Sequence, residues 1–318
     1  MPSPIDIPPV LLAGPFTAAY ARSVGVSEKV LRGKRFRRLF PRVWVHVDHA
    51  MTDRDWIAAA TMAMPRRAQL SHLTRIQALG LDLGPAKPLR FTVAGDLHLD
   101  IDDIFLHRTE VLPPLDDVGV TPAAAFIQYC ADARMIDAIK VGDWLLHHRH
   151  MTVLEVAELA RRDHWRPGAR QVRRVLPHLD AGSRSLKESE SRVVLVFAGL
   201  PRPEANKDVR NARGEILGYG DLVYLVWKLL VEYEGRQHLN DLNQWNSDID
   251  RYRDFRDEGW RYVQVTNEKL ETPKKLVAEV YGQLVRGGYD GPAPVFGDRW
   301  SALFAPIPSS GDLASKVA

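Results

Sequence analysis

The stretch that decides the fold runs from Gly220 to Thr266 and reads GDLVYLVWKLLVEYEGRQHLNDLNQWNSDIDRYRDFRDEGWRYVQVT. Its run Leu229-Leu230-Val231 is continuously apolar, which is typical of a buried strand. Glu232 and Glu234 follow, and the two-residue alternation of a strand predicts that they share one face while Tyr233 lies on the other. Glutamate is rare in strands and costly to bury without a compensating charge. A divalent cation would compensate it, so this strand end is a candidate metal site.

The segments on either side of this strand predict an α/β domain with a mixed sheet over residues 183–290. The preceding SLKESESRVVLVF indicates a helix with Ser185 as N-cap and Glu188 at the capping-box position three residues on. Strands follow in the Gly220 stretch, then a helix over 244–257, a strand over 261–265 and a closing helix over 273–286. This order of elements predicts helices packed on a central sheet.

Three carboxylates of this domain are predicted to form one metal site. Asp221 and Glu232 fall on neighbouring strands, and Glu188 is placed to reach them from the preceding helix. Carboxylate oxygens, with water in the remaining positions, suit Mg²⁺ or Mn²⁺. Such an ion acidifies a bound water and offsets the charge that builds up on a phosphodiester in the transition state. The pattern therefore predicts metal-dependent phosphodiester hydrolysis.

Four further side chains of the same stretch are candidates for the chemistry. His238, four residues past Glu234, is suited to act as general base or acid near neutral pH, although a histidine in a loop can equally be a surface residue without a task. Gln244, Asp248 and Arg251 fall on one helix face, so Arg251 is placed to hold a phosphate and Asp248 to orient it or His238. A plain helix salt bridge explains Asp248 and Arg251 as well.

Residues 1–80 are predicted to form a winged helix-turn-helix DNA-binding domain. From Phe16 to Val47 the pattern indicates a short helix, a tight turn, a second helix N-capped by Ser27, and a basic hairpin. Phe36 and Phe40 are expected to anchor this hairpin to its own core. Its DNA-contacting residues are predicted to be Arg32, Lys34, Arg35, Arg37, Arg38 and Arg42. The alternative is a solvated basic face.

Between these domains, residues 81–182 are predicted to be a connecting domain of strands and helices, and residues 291–318 a flexible tail. Residues 89–111 alternate, which indicates two or three strands joined by a turn at Gly95-Asp96. The helices over 151–179 carry an arginine set that is read as a second phosphate-contacting surface or as a solvated helix face. Its members are Arg161, Arg162, Arg166, Arg170, Arg173 and Arg174. Residues 180–184 are predicted to be a linker.

Composition limits the class of protein. With 318 residues, 45% of them hydrophobic, the chain can build two or three domains. The net charge of +3 is too small to indicate a partner, so the distribution of basic residues matters more. The single cysteine, Cys130, excludes an internal disulfide framework and a cysteine-based zinc site. Neither a leader nor a membrane span is recognisable, and we expect a soluble cytoplasmic protein.

A family resemblance covers about residues 183 to 287. It is carried by Ser185, Glu188, Ser189, Arg192, Ala198-Gly199-Leu200-Pro201, Asn206, Gly214, Asp221, Glu232-Tyr233-Glu234-Gly235, His238, Gln244, Asp248, Arg251, Gly259-Trp260 and Val265-Thr266. This set resembles an actinobacterial family of unknown function related to very-short-patch-repair endonucleases, within the PD-(D/E)XK restriction-endonuclease-like superfamily. The N-terminal third is similar, more weakly, to the winged-helix domain of AbiEi-like type IV antitoxins.

The resemblance implies that Glu188, Asp221 and Glu232 hold the metal and that His238 is the histidine following the acidic strand. Two positions depart from the superfamily: Glu234 stands in place of lysine, and Gly220 precedes Asp221 in place of proline. Without that lysine, its role passes to His238, to Lys228 or to a second ion.

Two functions remain open. One is a Mg²⁺-dependent DNA endonuclease targeted by the winged helix. The other is a non-catalytic DNA-binding regulator or antitoxin with a degenerate nuclease-like domain, acting with a toxin partner or as a homodimer.

Overall fold

The structure, a computed structural model, describes residues 6–211, 213–234, 253 and 255–309. It confirms the mixed α/β class. The chain divides into two compact units, residues 1–126 and 127–318. The division falls inside helix α5 (Pro122–Cys130).

The first unit begins with a small antiparallel sheet and two short helices. The elements are β1 (Phe16–Thr17), α1 (Ala18–Ser23), α2 (Glu28–Leu31), β2 (Phe36–Phe40) and β3 (Val43–His46), with strand order β1-β3-β2. The chain turns between the helices at Gly25, whose φ of 87° favours glycine. Ser27 occupies the N-cap position of α2 as predicted, but its side chain makes no capping hydrogen bond.

A second sheet completes this unit. After α3 (Asp53–Ala63) come β4 (Gln69–Leu70), α4 (His72–Gln77), β5 (Leu89–Ala94) and β6 (Ile104–Thr109), with strand order β4-β5-β6. The two predicted strands of the 89–111 segment are present. β5 and β6 run parallel, so residues 95–103 return the chain to the end of the sheet at which β5 began. The predicted hairpin turn at Gly95-Asp96 is therefore wrong. Because β4 pairs with β5, one sheet bridges the predicted boundary at residues 80 and 81.

The second unit opens with helices. These are α6 (Met135–His147), α7 (Val153–Arg162), α8 (Ala169–Val175) with a 3₁₀ turn at Leu176–His178, and α9 (Leu186–Phe197). The predicted helix after Ser185 is confirmed as α9. Its apolar residues Val193, Val194 and Leu195 are buried, which is how this helix packs in the unit.

A four-stranded mixed sheet follows α9. Its strands are β7 (Glu204–Arg210), β8 (Ile216–Tyr224), β9 (Leu229–Tyr233) and β10 (Arg261–Val265), in the order β10-β9-β8-β7. β7, β8 and β9 are antiparallel to their neighbours in sequence, whereas β10 runs parallel to β9. The closing helices are α10 (Asn267–Glu271), α11 (Pro273–Arg286) and α12 (Asp298–Leu303). Most of the predicted helix over 244–257 lies outside the described residues.

Two predicted irregular segments are ordered parts of this unit. In the expected linker, Ser183 is buried, and the Asp180 amide donates to Asp143 Oδ1 at 2.7 Å. In the expected tail, Trp300 and Ile307 are buried, and the Ile307 amide donates to the Ala133 carbonyl at 3.0 Å. The expected tail also contains helix α12, so its serine, glycine and proline content did not indicate its structure. Composition alone could not show that either segment packs against the rest of the unit.

Candidate functional site

Strand β9 carries the central acidic residue of the candidate site. Leu229, Leu230 and Val231 are buried as predicted, and Glu232 is only 5% exposed at the end of this apolar run. β8 flanks the strand on one side, with Leu222 opposite Val231, and β10 on the other, with Gln264 opposite Glu232. Glu232 therefore lies within the sheet, where a carboxylate loses most of its hydration.

Asp221 lies where the pairing of β8 with β9 ends. The last paired residues are Leu222 and Val231, and immediately beyond them Asp221 Oδ2 accepts a hydrogen bond from the Tyr233 amide at 2.9 Å. A side-chain carboxylate thus replaces the backbone carbonyl that would continue the ladder. This bond fixes Asp221 against the strand that carries Glu232.

Gly220, which precedes Asp221, packs closely against its neighbours in the sheet. A Cβ at this position would lie 2.8 Å from both Leu230 Cδ2 and Val223 Cγ2, and 3.8 Å from Glu232 Oε1. Contacts of 2.8 Å are too short for a side chain without displacement of its neighbours. Glycine therefore allows close packing next to the Glu232 carboxylate.

Glu234 directly follows the last residue of β9 and is held there by two hydrogen-bond donors from β10. Tyr262 Oη donates to Glu234 Oε1 at 3.0 Å, and Gln264 Nε2 donates to Oε2. Because Gln264 lies opposite Glu232 in the register, its bond to Glu234 fits the predicted placement of both glutamates on one face. Tyr233 instead donates through its hydroxyl to Asn267 Oδ1 at 3.0 Å.

Glu188 is buried in the first turn of α9, with 8% of it exposed. Its amide donates to Ser185 Oγ at 3.1 Å, which confirms the predicted N-cap. Its carboxylate does not complete a capping box with Ser185; Oε2 accepts from the Arg184 amide at 2.9 Å and from Asn206 Nδ2 at 2.6 Å. The carboxylate thus ties the start of α9 to strand β7.

Asn206 connects Glu188 to the strand that carries Asp221. It lies between the paired residues Ala205 and Lys207, whose partners are Leu222 and Gly220, so its register position is opposite Asp221. Its φ of 49° is in the left-handed region, which asparagine tolerates better than most residues. Its Nδ2 also donates to the Gly182 carbonyl at 2.7 Å.

Hydrogen bonds thus hold the carboxylates of Asp221, Glu234 and Glu188 in different places around β8 and β9. Over the described parts of the chain, no group of three or more His, Cys, Asp and Glu side chains is placed to hold a metal ion. The other candidate residues fall outside the described residues: they are His238, Gln244, Asp248 and Arg251.

Lys228, one candidate for the role of the missing lysine, lies at the other end of β9 from Glu232. It precedes β9, whereas Glu232 lies near the strand's end; four residues of strand separate their Cα atoms by roughly 13 Å at about 3.3 Å per residue. Its Nζ donates to the Glu258 carbonyl at 2.8 Å. Lys228 is therefore held at the opposite end of the strand from the acidic residues.

A buried ion pair positions α9. Arg192 Nη2 donates to Asp143 Oδ2 of α6 at 2.7 Å and to the His178 carbonyl at 2.9 Å, and both side chains of the pair are almost completely buried. Burial raises the pKa of the Asp143 carboxyl, while Arg192 and the Asp180 amide oppose that rise. The pair fixes α9, and with it Glu188, against the helical part of the same unit.

The predicted basic hairpin consists of β2, β3 and the residues next to them. Phe36 and Phe40 are buried in the cores of the first unit, so the prediction that they anchor the hairpin is confirmed. β2 is an edge strand. The exposed basic side chains are Arg32, Lys34, Arg37, Arg38 and Arg42, and Arg35 is partly exposed. Their positive charge is thus presented to solvent, as binding to phosphates requires.

Sequence reasoning missed the donors that hold the acidic residues. Tyr262 and Gln264 lie two residues apart on β10 and both donate hydrogen bonds to Glu234, and Asn206 donates one to Glu188. The two-residue spacing of Tyr262 and Gln264 was the available signal, because it places both on one face of a strand. Their partner could not be read from the sequence, since the register of β10 on β9 depends on the crossover between them.

Comparisons with known proteins identify no family for this chain. No family model matches it. Two curated proteins of Mycobacterium tuberculosis are similar: uncharacterized protein MT2308 of strain CDC 1551 / Oshkosh and uncharacterized protein Rv2248 of strain ATCC 25618 / H37Rv. Each is 25% identical over 170 residues, which span 53% of this chain and 62% of the relative. The match thus covers less than two thirds of each relative's length.

None of the helices in the described residues has the length and apolarity needed to cross a membrane.

Proposed function

We propose that residues 183–290 form a restriction-endonuclease-like domain that hydrolyses DNA phosphodiester bonds with Mg²⁺ or Mn²⁺, and that residues 1–80 are a winged helix that targets it to DNA. The observation that carries the proposal is the pair Asp221 and Glu232, on adjacent strands of a mixed sheet. Burying the Glu232 carboxylate at the end of an apolar strand lowers stability unless a charge or hydrogen bonds compensate it, and a bound divalent cation would do so.

The carboxylate chemistry fits the proposed ion. Hard divalent cations prefer oxygen ligands, and Asp221 is already oriented by the Tyr233 amide. In this proposal Asp221 and Glu232 are the principal ligands. Glu188, whose carboxylate accepts from Asn206 of the neighbouring strand β7, would complete the set only by moving toward them. The ion supplies a more acidic bound water and a positive charge next to the scissile phosphate.

The remaining roles belong to residues around this pair. Glu234, fixed by Tyr262 and Gln264, occupies the lysine position without a positive charge. We assign the proton transfer to His238 and the positioning of phosphate to Arg251, which the sequence predicts to share one helix face with Gln244 and Asp248. These four assignments rest on sequence spacing.

The first unit supports targeting to duplex DNA. Its elements follow the order strand, helix, helix, hairpin, and the hairpin exposes arginines on an edge strand anchored by two buried phenylalanines. A hairpin of this kind can contact the DNA backbone beside a recognition helix.

A second candidate function is a DNA-binding regulator or antitoxin without nuclease activity. It is favoured by Glu234 in place of lysine and by Lys228, which is held at the far end of β9. Its partner would be a toxin protein or a second copy of the chain.

A nicking assay separates the two functions. Purified protein is incubated with supercoiled plasmid in Mg²⁺, in Mn²⁺ and in chelator, and duplex binding is measured in parallel. Nicking that requires the metal supports the endonuclease. Tight, salt-sensitive DNA binding without nicking in either metal favours the regulator.

A further inference from the structure

A basic surface outside the proposed site lies on α7 and α8. Residues 153–175 hold six arginines, no lysine and three acidic residues. The rest of the chain is balanced at 37 basic and 37 acidic residues (43 less 6 and 40 less 3). We call this segment the arginine surface; its net charge equals that of the whole protein.

Helix α8 presents its arginines outward as a set. Ala169, Val172 and Val175 are buried, and the exposed positions between them are all arginine. Those positions are Arg170, Arg173 and Arg174. Their spacing of three and four residues places them on one face of the helix.

A contact between the two helices joins this face to the end of α7. Arg173 Nη2 donates to the Ala160 carbonyl in the last turn of α7 at 3.0 Å. Arg161 and Arg162 are exposed in that same turn. The arginines of both helices therefore form one continuous surface, and their charges lie close enough to attract a polyanion together.

The turn between the helices is held in a fixed conformation. Gly168 has a φ of 87°, and a Cβ there would lie 1.8 Å from the Ile127 carbonyl oxygen, so only glycine fits. The close approach fixes the start of α8 against α5. The backbone that joins the two helices of the arginine surface is thus packed closely against α5.

An exposed tryptophan lies in this turn and is braced by a neighbouring arginine. Trp165 is 53% exposed, and the Arg166 guanidinium lies 4.3 Å from its ring centroid. Arg166 in turn donates through Nε to Asp163 Oδ2 at 2.9 Å, and its side chain is only 11% exposed. The indole is held in place while much of it remains open to solvent.

We propose that the arginine surface binds single-stranded or locally unpaired DNA, with arginines on the phosphates and Trp165 stacked on a base. Arginine binds phosphate through paired N–H donors, and base–aromatic stacking is the usual companion of a basic surface in single-strand binding. A paired duplex offers no exposed base face to an indole. The Asp163 carboxylate offsets one positive charge through its ion pairs with Arg162 and Arg166, and the net charge of +3 already includes it.

The inference goes beyond the proposed nuclease and does not depend on cleavage. To reduce binding by the hairpin, binding is measured in chelator with full-length protein that carries Arg37→Ala and Arg38→Ala, which remove two of the six positive charges of the hairpin. The probes are an oligothymidylate of about 20 nucleotides, long enough for a site of the usual size, and its duplex. A polyglutamate peptide serves as a competitor that has negative charge but no bases.

The charge test compares two double variants in that background. Arg161→Ala with Arg174→Ala removes two charges from the arginine surface; Lys275→Ala with Arg286→Ala removes two exposed charges from α11 of the same unit. With each single-strand contact contributing about 0.7, the first variant is expected to flatten the log–log salt dependence by about 1.4, and the second to leave it unchanged. Arg161→Lys with Arg174→Lys should keep the parental slope. Equal slopes for the first and second variants would overturn the proposal.

The stacking test uses Trp165. Trp165→Ala is expected to weaken oligothymidylate binding by roughly fivefold to 100-fold, with Trp165→Phe restoring most of it and duplex binding little changed. Unchanged single-strand affinity in Trp165→Ala refutes the stacking role. If polyglutamate displaces the oligonucleotide at equal charge concentration, the surface binds acidic protein and the proposal is wrong. Because all substituted side chains are exposed, thermal unfolding should match the parent.

Discussion

The substitution Arg192→Met removes one member of the buried ion pair that fixes α9. Asp143 and Arg192 are 0% and 1% exposed, and their contact of 2.7 Å joins α6 to the helix that carries Glu188. Methionine fills much of the same volume but leaves the Asp143 carboxylate in the interior without its cation. The His178 carbonyl also loses its donor.

The expected loss of stability follows from that uncompensated charge. Removing one partner of a buried pair typically costs about 3–5 kcal/mol. Replacing both charged side chains by uncharged ones should recover much of the lost stability. We therefore pair Arg192→Met with Asp143→Asn, because the asparagine Oδ1 can still accept the Asp180 amide that Asp143 Oδ1 binds at 2.7 Å.

The pH dependence gives the sharper result. Burial raises the pKa of Asp143 above its unfolded value, and Arg192 opposes that rise, so Arg192→Met raises the pKa further. A carboxyl with a raised folded pKa favours the native state below its unfolded pKa and loses that contribution as pH rises through the folded pKa. The cost of Arg192→Met should therefore be larger at pH 8 than at pH 5.

Urea unfolding of the full chain, followed by tryptophan fluorescence at both pH values, measures this cost in the transition that belongs to residues 127–318. The exposed substitution Arg161→Met is the matched control and should change stability by less than about 0.5 kcal/mol. A pH-independent loss, or a loss as small as that of the control, would refute the argument that this pair holds α9 in place.

Three further predictions address the hairpin, the proposed base and the α7–α8 turn. Replacing Arg35, Arg37 and Arg38 by alanine should weaken binding to all duplex sequences alike and flatten the salt dependence by about 0.9 per lost contact; an unchanged slope in fluorescence anisotropy would mean a solvated face. His238→Ala should lower the cleavage rate by roughly 10²- to 10⁴-fold with metal affinity unchanged, and the parental rate should rise through the imidazole pKa; cutting at the parental rate would make His238 a bystander. Gly168→Ala should lower the free energy of unfolding in urea by about 2 kcal/mol or more, because the backbone strain of a positive φ adds to the clash with the Ile127 carbonyl. Gly214→Ala is the control, because Gly214 has a φ of 82° but open space around it, so only the backbone strain applies. Equal losses of stability in the two variants would contradict the clash at Gly168.

The sequence predicted the local elements of the sheet domain well, because their signals are local. The apolar run at Leu229 identified β9, and Ser185 identified the start of α9. Alternation placed strands at β5 and β6, yet their parallel pairing depends on a crossover that no local pattern records. The chain's division at residues 126 and 127 was likewise not predicted, because it follows from which sheets share a core.

The sequence predicted which acidic residues lie in the candidate site, but it did not predict the hydrogen bonds that hold them. The acidic residues Asp221 and Glu232 follow from strand position and from the cost of burial. The bonds of Glu188 to Asn206 and of Glu234 to Gln264 depend on tertiary register, which a single sequence does not contain. For the same reason, the sequence could not show that Lys228 Nζ donates to the Glu258 carbonyl at the other end of β9 from Glu232.

The central claim is that Asp221 takes part in metal-dependent cleavage, and the nicking rate of Asp221→Asn on supercoiled plasmid tests it most directly. Asp208→Asn, an acidic residue on β7 of the same sheet, is the matched control and should cut at the parental rate. Asp221→Asn is expected to abolish nicking in Mg²⁺ and Mn²⁺ while binding DNA as tightly as the parent or more tightly, because a charge that repels phosphate is lost. An Asp221→Asn protein that nicks plasmid at the parental rate would contradict the proposed site.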